Sequence, residues 1–245
     1  MNALGTFYGV GVGPGEPGLI PVAAWEALQR CEVIFLPRAQ SMDCSVARRA
    51  LPPNDFPPER FREIEFNMDP DRAALCEHYR ELANVIAVEL RAGKTVAWLT
   101  LGDPLTYSTY SYALAALLDC LPGVEHRTFP GITSYSAVAA ATHWPLGEGK
   151  ERILIFPCPE SLDELRAAIE TNDVVVLMKI GARLPMVLTL LHEMGIAAHC
   201  AFGRRVGMPE ELLCADVRAL RAENSLGYLS TMLIRKTPRA KRHTT

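Results

Sequence analysis

The stretch FYGVGVGPGEPGLI, at residues 7–20, joins a short apolar segment to a turn rich in glycine and proline. Residues 7–13 predict a buried strand, and residues 19–30 carry apolar side chains at helical spacing. A second apolar strand follows at residues 33–36 and is expected to stop at Pro37. A strand, a helix and another strand in this order predict a parallel α/β unit.

The same alternation continues along the chain. The four prolines within residues 51–60 predict a surface loop, and Asp69-Pro70 is expected to open a long helix that ends near Arg91. Further strands are predicted at 95–100, 124–129, 153–156, 174–180, 198–203, 211–214 and 228–235, and further helices at 105–121, 132–141, 161–170 and 184–194. The first half therefore predicts a mainly parallel sheet, and the second half an α/β unit with a strand-rich end. The loop HWPLGEG at residues 143–149 is a candidate linker.

Length and composition exclude several classes of protein. The 245 residues are enough for one large domain or two modest ones. A net charge of −3 argues against a general nucleic-acid binder, which carries a basic excess. The apolar runs fall far short of the ~18–20 residues that span a bilayer. Because the seven cysteines contain no close pair, they predict neither a disulfide framework nor a zinc site. We therefore expect a cytoplasmic protein without a bound metal, a nucleic-acid partner or a membrane span.

The loops at strand ends matter most, because open parallel sheets bind ligands beyond the carboxyl ends of their strands. The first loop, GPGEPG at 13–18, matches the dinucleotide fingerprint G-x-G-x-x-G. Against this reading, Pro14 and Pro17 remove N–H donors from the turn that would bind a pyrophosphate. The fingerprint also expects an acidic residue about 20 positions further on, where this chain has LPR at 36–38. An NADP-dependent oxidoreductase and a turn that binds no ligand both stay open from this loop alone.

Five segments carry a more specific signal when they are taken together. They are GVGVGPGEPGLI at 9–20, TLGDPLTYST at 100–109, FPGITSYSAVAAA at 129–141, MKIG at 178–181 and YLSTMLI at 228–234. In this order they resemble the tetrapyrrole methylases, which use S-adenosylmethionine in corrin and sirohaem synthesis. The YST after GDP is most similar to the C20-methyltransferases that act on precorrin-2 or its cobalt counterpart. Glu16 departs mildly from the family pattern, since many members have Asp there.

The resemblance implies two α/β domains, residues 1–133 and 134–245, with the methyl donor S-adenosylmethionine bound in a cleft between them. Asp103 is expected near the donor's sulfonium, and Gly131 is expected to leave space that the donor occupies. The alternative for Asp103 is the N-cap of the helix at 105–121. The residues that carry over as donor-binding are Pro14, Leu101, Gly102, Asp103, Thr106, Tyr107, Ser108, Gly131, Ile132, Thr133, Ser134, Met178, Val206, Gly207, Ser230 and Thr231.

A tetrapyrrole acceptor carries many carboxylates, so cationic side chains are expected to bind it. The candidates are Arg38, Arg48, Arg49, Arg204 and Arg205, and the alternative for each is a solvated basic surface. An enamine-like carbon of a reduced tetrapyrrole is already nucleophilic, so orientation, which supplies ~7–11 kcal/mol, matters more than a base. No Ser–His–Asp pattern is present, and no catalytic residue is predicted. The resemblance also implies a homodimer. Other possibilities are a methylase of the same fold that acts at another position, and a ligand-binding module without catalysis.

Overall fold

The computed structural model describes residues 3–39, 45–66, 72–221 and 227–239. The chain divides into two compact units, Met1–Thr133 and Ser134–Thr245. The loop at 143–149 is therefore no linker, because it lies inside the second unit, where Arg235 binds both Glu151 and the carbonyl of Pro145. In the described part of the chain, no helix is long and apolar enough to cross a membrane.

The described residues of the first unit form a sheet of five strands. They are β1 (Phe7–Gly11), β2 (Val33–Ala39), β3 (Phe61–Phe66), β4 (Val96–Thr100) and β5 (His126–Phe129). The strand order is β3-β2-β4-β1-β5, and all four pairings are parallel, which confirms the predicted parallel sheet. Its helices are α1 (Val22–Arg30), α2 (Val46–Arg49), α3 (Arg72–Arg91) and α4 (Tyr110–Cys120).

The two faces of this sheet are covered by different helices. Phe7 and Trp98 belong to a core cluster with α3 and α4, whereas Val10 and Ile34 belong to a second cluster with α1 and α2. The buried Tyr110 ring lies against β1, where a Cβ on Gly9 would come within 2.1 Å of its Cζ atom. A glycine in the middle of β1 therefore makes room for an aromatic side chain that closes the core.

The structure corrects two predictions in this unit and adds one strand. Pro37 does not stop β2, because the pairing with β4 ends at Phe35 and only β3 is bonded beyond that point. The loop at 51–60 is not wholly at the surface, since Phe56 is buried and packs edge-on against Trp25 at 5.2 Å. The strand β3 was not predicted at all. The end of α3 at Arg91 is confirmed, while its expected start at 69–70 lies outside the described residues.

The second unit contains a mixed sheet with strands β6 (Ile153–Pro157), β7 (Val174–Met178), β8 (Cys200–Arg204), β9 (Leu212–Cys214) and β10 (Ser230–Arg235). The strand order is β6-β7-β10-β8-β9, and only the pairing of β6 with β7 is parallel. Its helices are α5 (Ser134–Ala141), α6 (Leu162–Thr171) and α7 (Leu184–Glu193). Buried side chains of α6, α7 and the sheet form its core, and the strand-rich end agrees with the sequence.

Candidate functional site

The loops after β1 and β4 are joined through their backbones. The N–H of Gly102 donates to the carbonyl of Gly13 at 2.6 Å, and the N–H of Gly13 donates back to Gly102 at 3.3 Å. Pro14 follows this bridge directly and is buried. Since β5 is the other neighbour of β1, the three predicted loops meet at one edge of the sheet.

Three glycines from these strand ends pack against one another. A Cβ on Gly131 would lie 2.0 Å from the carbonyl oxygen of Gly102, and one on Gly11 would lie 2.6 Å from the Gly131 nitrogen. We expected Gly131 to leave space for a ligand. That expectation is wrong where a Cβ would stand, because protein backbone already fills this position. Gly102 differs, because it has a φ of 74° and no described atom lies within 4 Å of a Cβ placed there.

Asp103 ties two of the loops together. Its Oδ1 accepts hydrogen bonds from the Leu105 N–H at 2.9 Å and the Thr106 hydroxyl at 3.2 Å, and its Oδ2 accepts from the Gly131 N–H at 3.1 Å. The alternative that Asp103 caps a helix at 105–121 is wrong, because α4 begins only at Tyr110. The residues between form a turn stabilised by the carboxylate.

Tyr107 and Ser108 complete this turn. Tyr107 has a φ of 51°, an uncommon backbone conformation for a residue with a side chain, and the residue is 44% exposed. The Ser108 hydroxyl accepts a hydrogen bond from the Tyr110 N–H at 3.1 Å, at the start of α4. Leu101, half-buried, opens the loop, and Ile132 and Thr133, also half-buried, follow Gly131.

In the second unit, predicted donor-binding residues lie along one edge of the mixed sheet. Met178 ends β7 and is the register partner of Thr231, while Ser230 is the partner of Arg204 at the end of β8. The hydroxyls of Thr231 and Ser134 lie 2.9 Å apart. The structure therefore brings Met178, Ser134, Ser230 and Thr231 close together, although they are far apart in sequence.

Three residues at this same edge adopt left-handed backbone conformations. Lys179, Arg205 and Leu229 have φ values of 52°, 49° and 54°. Each costs ~1–2 kcal/mol relative to right-handed backbone. The Arg205 N–H donates to the Leu229 carbonyl at 2.9 Å, which connects two of the three. Strained backbone of this kind clusters at functional sites.

The segments that surround this edge are also closely packed. A Cβ on Gly227 would lie 1.7 Å from the carbonyl oxygen of Gly181. The Ser230 hydroxyl donates to the Gly227 carbonyl at 2.7 Å, so this hydroxyl holds the turn before β10. Val206 is buried, and the Gly207 N–H donates to the Glu211 carboxylate at 2.7 Å. Gly227 was missed by the sequence reasoning, although a glycine directly before the YLST motif was a signal for it.

The five candidate cations lie in different surroundings. Arg38 pairs with Glu63 and Glu65, and the Arg48 guanidinium stacks over the Phe61 ring at 4.3 Å. Arg205 pairs with the Glu210 carboxylate. Arg49 lies on α2. Arg204, at the end of β8, has no ion pair with any described residue. The sequence offers these five arginines as equivalent candidates, whereas the structure gives them different partners.

The loop after β1 does not have the form of a dinucleotide site. It leads into a short 3-10 helix at Pro17–Leu19, and α1 starts only after Pro21. A helix N-terminus that would hold a pyrophosphate therefore does not follow the loop directly.

Comparison with known proteins decides between the interpretations left open by the sequence. The model of the tetrapyrrole (corrin/porphyrin) methylases matches residues 6–219. The chain belongs to this family. The matched residues of this methylase include the loops after β1, β4, β5 and β7.

Relatives of this methylase match it from end to end. A cobalt-precorrin-2 C(20)-methyltransferase of Salmonella typhimurium is 28% identical and covers 95% of this chain and 97% of its own. A precorrin-2 C(20)-methyltransferase of Sinorhizobium sp is 29% identical, with 94% and 95% covered. A solved uroporphyrin-III C-methyltransferase of Thermus thermophilus, complexed with S-adenosylhomocysteine, has a TM-score of 0.59 at 20% identity, covering 94% of this chain and 97% of that one. The last likeness supports the two-domain α/β fold.

Other titratable side chains have structural surroundings. The His126 ring lies 3.1 Å from the Val124 carbonyl. Burial raises the pKa of the Cys31 and Cys200 thiols to about 12, so neither is a nucleophile near neutral pH. Among the described residues, no group of three or more His, Cys, Asp or Glu side chains is placed to hold a metal ion.

Proposed function

We propose that this chain is a methyltransferase that moves a methyl group from S-adenosylmethionine to C20 of precorrin-2 or its cobalt counterpart. The observation that carries the proposal is the end-to-end match to two relatives that bear these activities in their names. Methyltransferase activity and a tetrapyrrole acceptor also follow from membership of the family.

The first unit has features that fit a sulfonium donor. Open space beside the Gly102 Cα allows a ligand to approach the backbone. Asp103 lies next to it and has no ion pair with a described cation, so its negative charge is available to attract the positively charged end of the donor. S-adenosylmethionine itself supplies the electrophilic methyl group. We assign Pro14, Leu101, Thr106, Tyr107, Ser108, Gly131, Ile132 and Thr133 to the same binding loops.

The second unit is proposed to bind the nucleoside part of the donor. Thr231 and Ser134 present hydroxyls, and Met178 presents an apolar side chain at the strand end beside them. Ser230 would act through the turn that it holds rather than by contact, because its hydroxyl is bonded to Gly227. Val206 and Gly207 are proposed to flank the ribose.

Isotope-labelled turnover tests the proposal. The chain is incubated anaerobically with precorrin-2, or with its cobalt counterpart, and a donor carrying a 13C methyl group. We expect one added methyl by mass spectrometry and one new 13C signal assigned to C20. A methyl group at another ring position would refute the C20 assignment, and turnover that depends on NADPH would refute the methyltransferase assignment.

The proposal includes a cytoplasmic homodimer. In support, Cys31, Cys76, Cys120, Cys158, Cys200 and Cys214 are all free thiols, as expected in a reducing compartment. Val88 on α3 and Tyr112 on α4 are 64% and 61% exposed and provide apolar surface for a second copy. Light scattering at micromolar concentration tests the dimer, and a monomer mass would refute it.

A further inference from the structure

Arg204 differs from the other cations at the edge of the second sheet. Arg183 is bonded to Glu160 and to the Lys179 carbonyl, and Arg205 is bonded to Glu210. Arg204 forms neither an ion pair nor a hydrogen bond through its side chain with any described residue, and its Nε atom is buried. The Nε atoms of Arg183 and Arg205 are also buried without an acceptor, so what sets Arg204 apart is that its guanidinium has no counter-charge among the described residues.

The position of Arg204 is fixed by the strand. It is the last residue of β8, where it pairs with Ser230 on one side and Leu212 on the other. Because side chains alternate along a strand, Arg204 projects to the same face as the buried Phe202. Arg204 therefore lies at the end of β8 with Ser230 beside it, on the face opposite to Met178 and Thr231.

A buried N–H group without an acceptor is unusual in a folded protein and indicates a missing partner. The Nε–H and one Nη–H of a guanidinium point in parallel, which matches the two oxygens of a carboxylate. Both substrates of the proposed reaction carry carboxylates. An anion of this kind would satisfy both the buried Nε and the positive charge.

We propose that Arg204 forms a carboxylate-binding subsite for a substrate of this enzyme. The inference rests on the proposed function for the identity of the substrates. It also separates Arg204 from Arg38, whose charge is already balanced by Glu63 and Glu65. The carboxylate belongs either to a side chain of the tetrapyrrole or to the amino-acid part of the donor, and binding measurements distinguish the two.

Equilibrium binding to Arg204→Ala and Arg204→Lys tests the subsite without the need for turnover. Affinities are measured for precorrin-2, for S-adenosylhomocysteine and for 5′-methylthioadenosine, which lacks the amino-acid part. We expect Arg204→Ala to weaken one carboxylate ligand about 10- to 150-fold, as for loss of a charge-assisted hydrogen bond. Lysine keeps the charge but not the paired N–H groups, so Arg204→Lys should recover only part of the loss.

The source of the carboxylate follows from which ligand is affected. If precorrin-2 binding weakens and S-adenosylhomocysteine binding does not, the acceptor supplies it. If S-adenosylhomocysteine weakens and 5′-methylthioadenosine does not, the donor supplies it. Arg152→Ala is the control. Arg152 comes directly before β6, at the opposite end of the strands, and its side chain is 75% exposed. Its replacement should therefore change no affinity.

Unchanged affinities for all three ligands in a folded Arg204→Ala variant would overturn the inference. Thermal unfolding of each variant establishes that it is folded, and Arg204→Lys supplies the same test if the alanine variant is not. Wild-type turnover with labelled donor is scored separately. Absence of a C20-methylated product would count against the proposed function, whereas the affinities alone decide the role of Arg204.

Discussion

The contrast between Gly131 and Gly102 gives a quantitative prediction for two single substitutions. In Gly131→Ala the new Cβ would lie 2.0 Å from the Gly102 carbonyl oxygen, so the backbone must move. That movement strains the Gly13–Gly102 bridge and the bond from the Gly131 N–H to Asp103. Partial loss of two neutral hydrogen bonds and one charge-assisted hydrogen bond costs roughly 3 kcal/mol.

In Gly102→Ala the Cβ meets no described atom, and the cost comes from the φ of 74° alone. Left-handed backbone costs ~1–2 kcal/mol, and a reduced unfolded-state entropy returns ~0.4–1 kcal/mol, which leaves roughly 1 kcal/mol. For a chain of this size, each kcal/mol lowers the melting temperature by about 2–4 °C. We therefore expect a drop of about 6–12 °C for Gly131→Ala and of about 2–4 °C for Gly102→Ala.

Ligand affinity should follow the opposite order. If the donor occupies the open space beside Gly102, the added methyl group excludes it, and calorimetric titration of Gly102→Ala with S-adenosylhomocysteine should show at least ~10-fold weaker binding, about 1.4 kcal/mol. For Gly131→Ala, measured below its melting temperature, the loss of binding free energy should be smaller than the loss of unfolding free energy. A Gly131→Ala variant as stable as wild type, or a Gly102→Ala variant with normal affinity, would show that the packing argument is wrong.

Three further predictions concern stability and reactivity outside these loops. The Arg235 side chain is only 5% exposed, so Glu151→Gln should leave an uncompensated buried charge and lower the free energy of unfolding in urea by ~3–5 kcal/mol. With its pKa raised to about 12 by burial, the Cys31 thiol should resist alkylation at pH 8 in folded protein while the exposed Cys76 reacts, as peptide mass spectrometry would show. Lys179 is exposed and left-handed, so Lys179→Gly should be more stable than Lys179→Ala by roughly 1 kcal/mol, and the reverse order in urea would contradict strain there.

The sequence predicts most of the fold because buried strands and amphipathic helices differ in apolar spacing. It fails where tertiary pairing decides. The segment FREIEF of β3 places charged residues between apolar ones and follows a proline-rich loop, so it does not stand out from its surroundings. Pro37 is tolerated in β2 because the pairing with β4 stops at Phe35, and the point at which two strands separate cannot be derived from the sequence of either one.

The loops of the candidate site are predictable, whereas their contacts are not. Glycines and prolines after apolar runs mark Gly13, Gly102 and Gly131 as strand-end positions that meet in a parallel sheet. That Gly131 is confined by the Gly102 carbonyl depends on how three strands are arranged side by side. Likewise, the parallel register of β2 and β3 places Arg38 opposite Glu65, and this neutralises a cation that the sequence offers as a ligand group.

Backbone strain is a feature that the two sets of predicted donor-binding residues share and that the sequence does not reveal. Tyr107, Lys179, Arg205 and Leu229 are left-handed without being glycine, and each adjoins a residue predicted to bind the donor. At ~1–2 kcal/mol each, their combined cost is comparable with a large part of the ~5–15 kcal/mol that stabilises a typical domain. Such a cost is accepted where surrounding contacts force the conformation, as the Arg205–Leu229 bond does here. Asn54 and His143 are also left-handed, in loops outside the predicted site, so four of the six described non-glycine residues with this conformation adjoin predicted donor-binding residues. This concentration supports a binding role for the loops independently of the family resemblance.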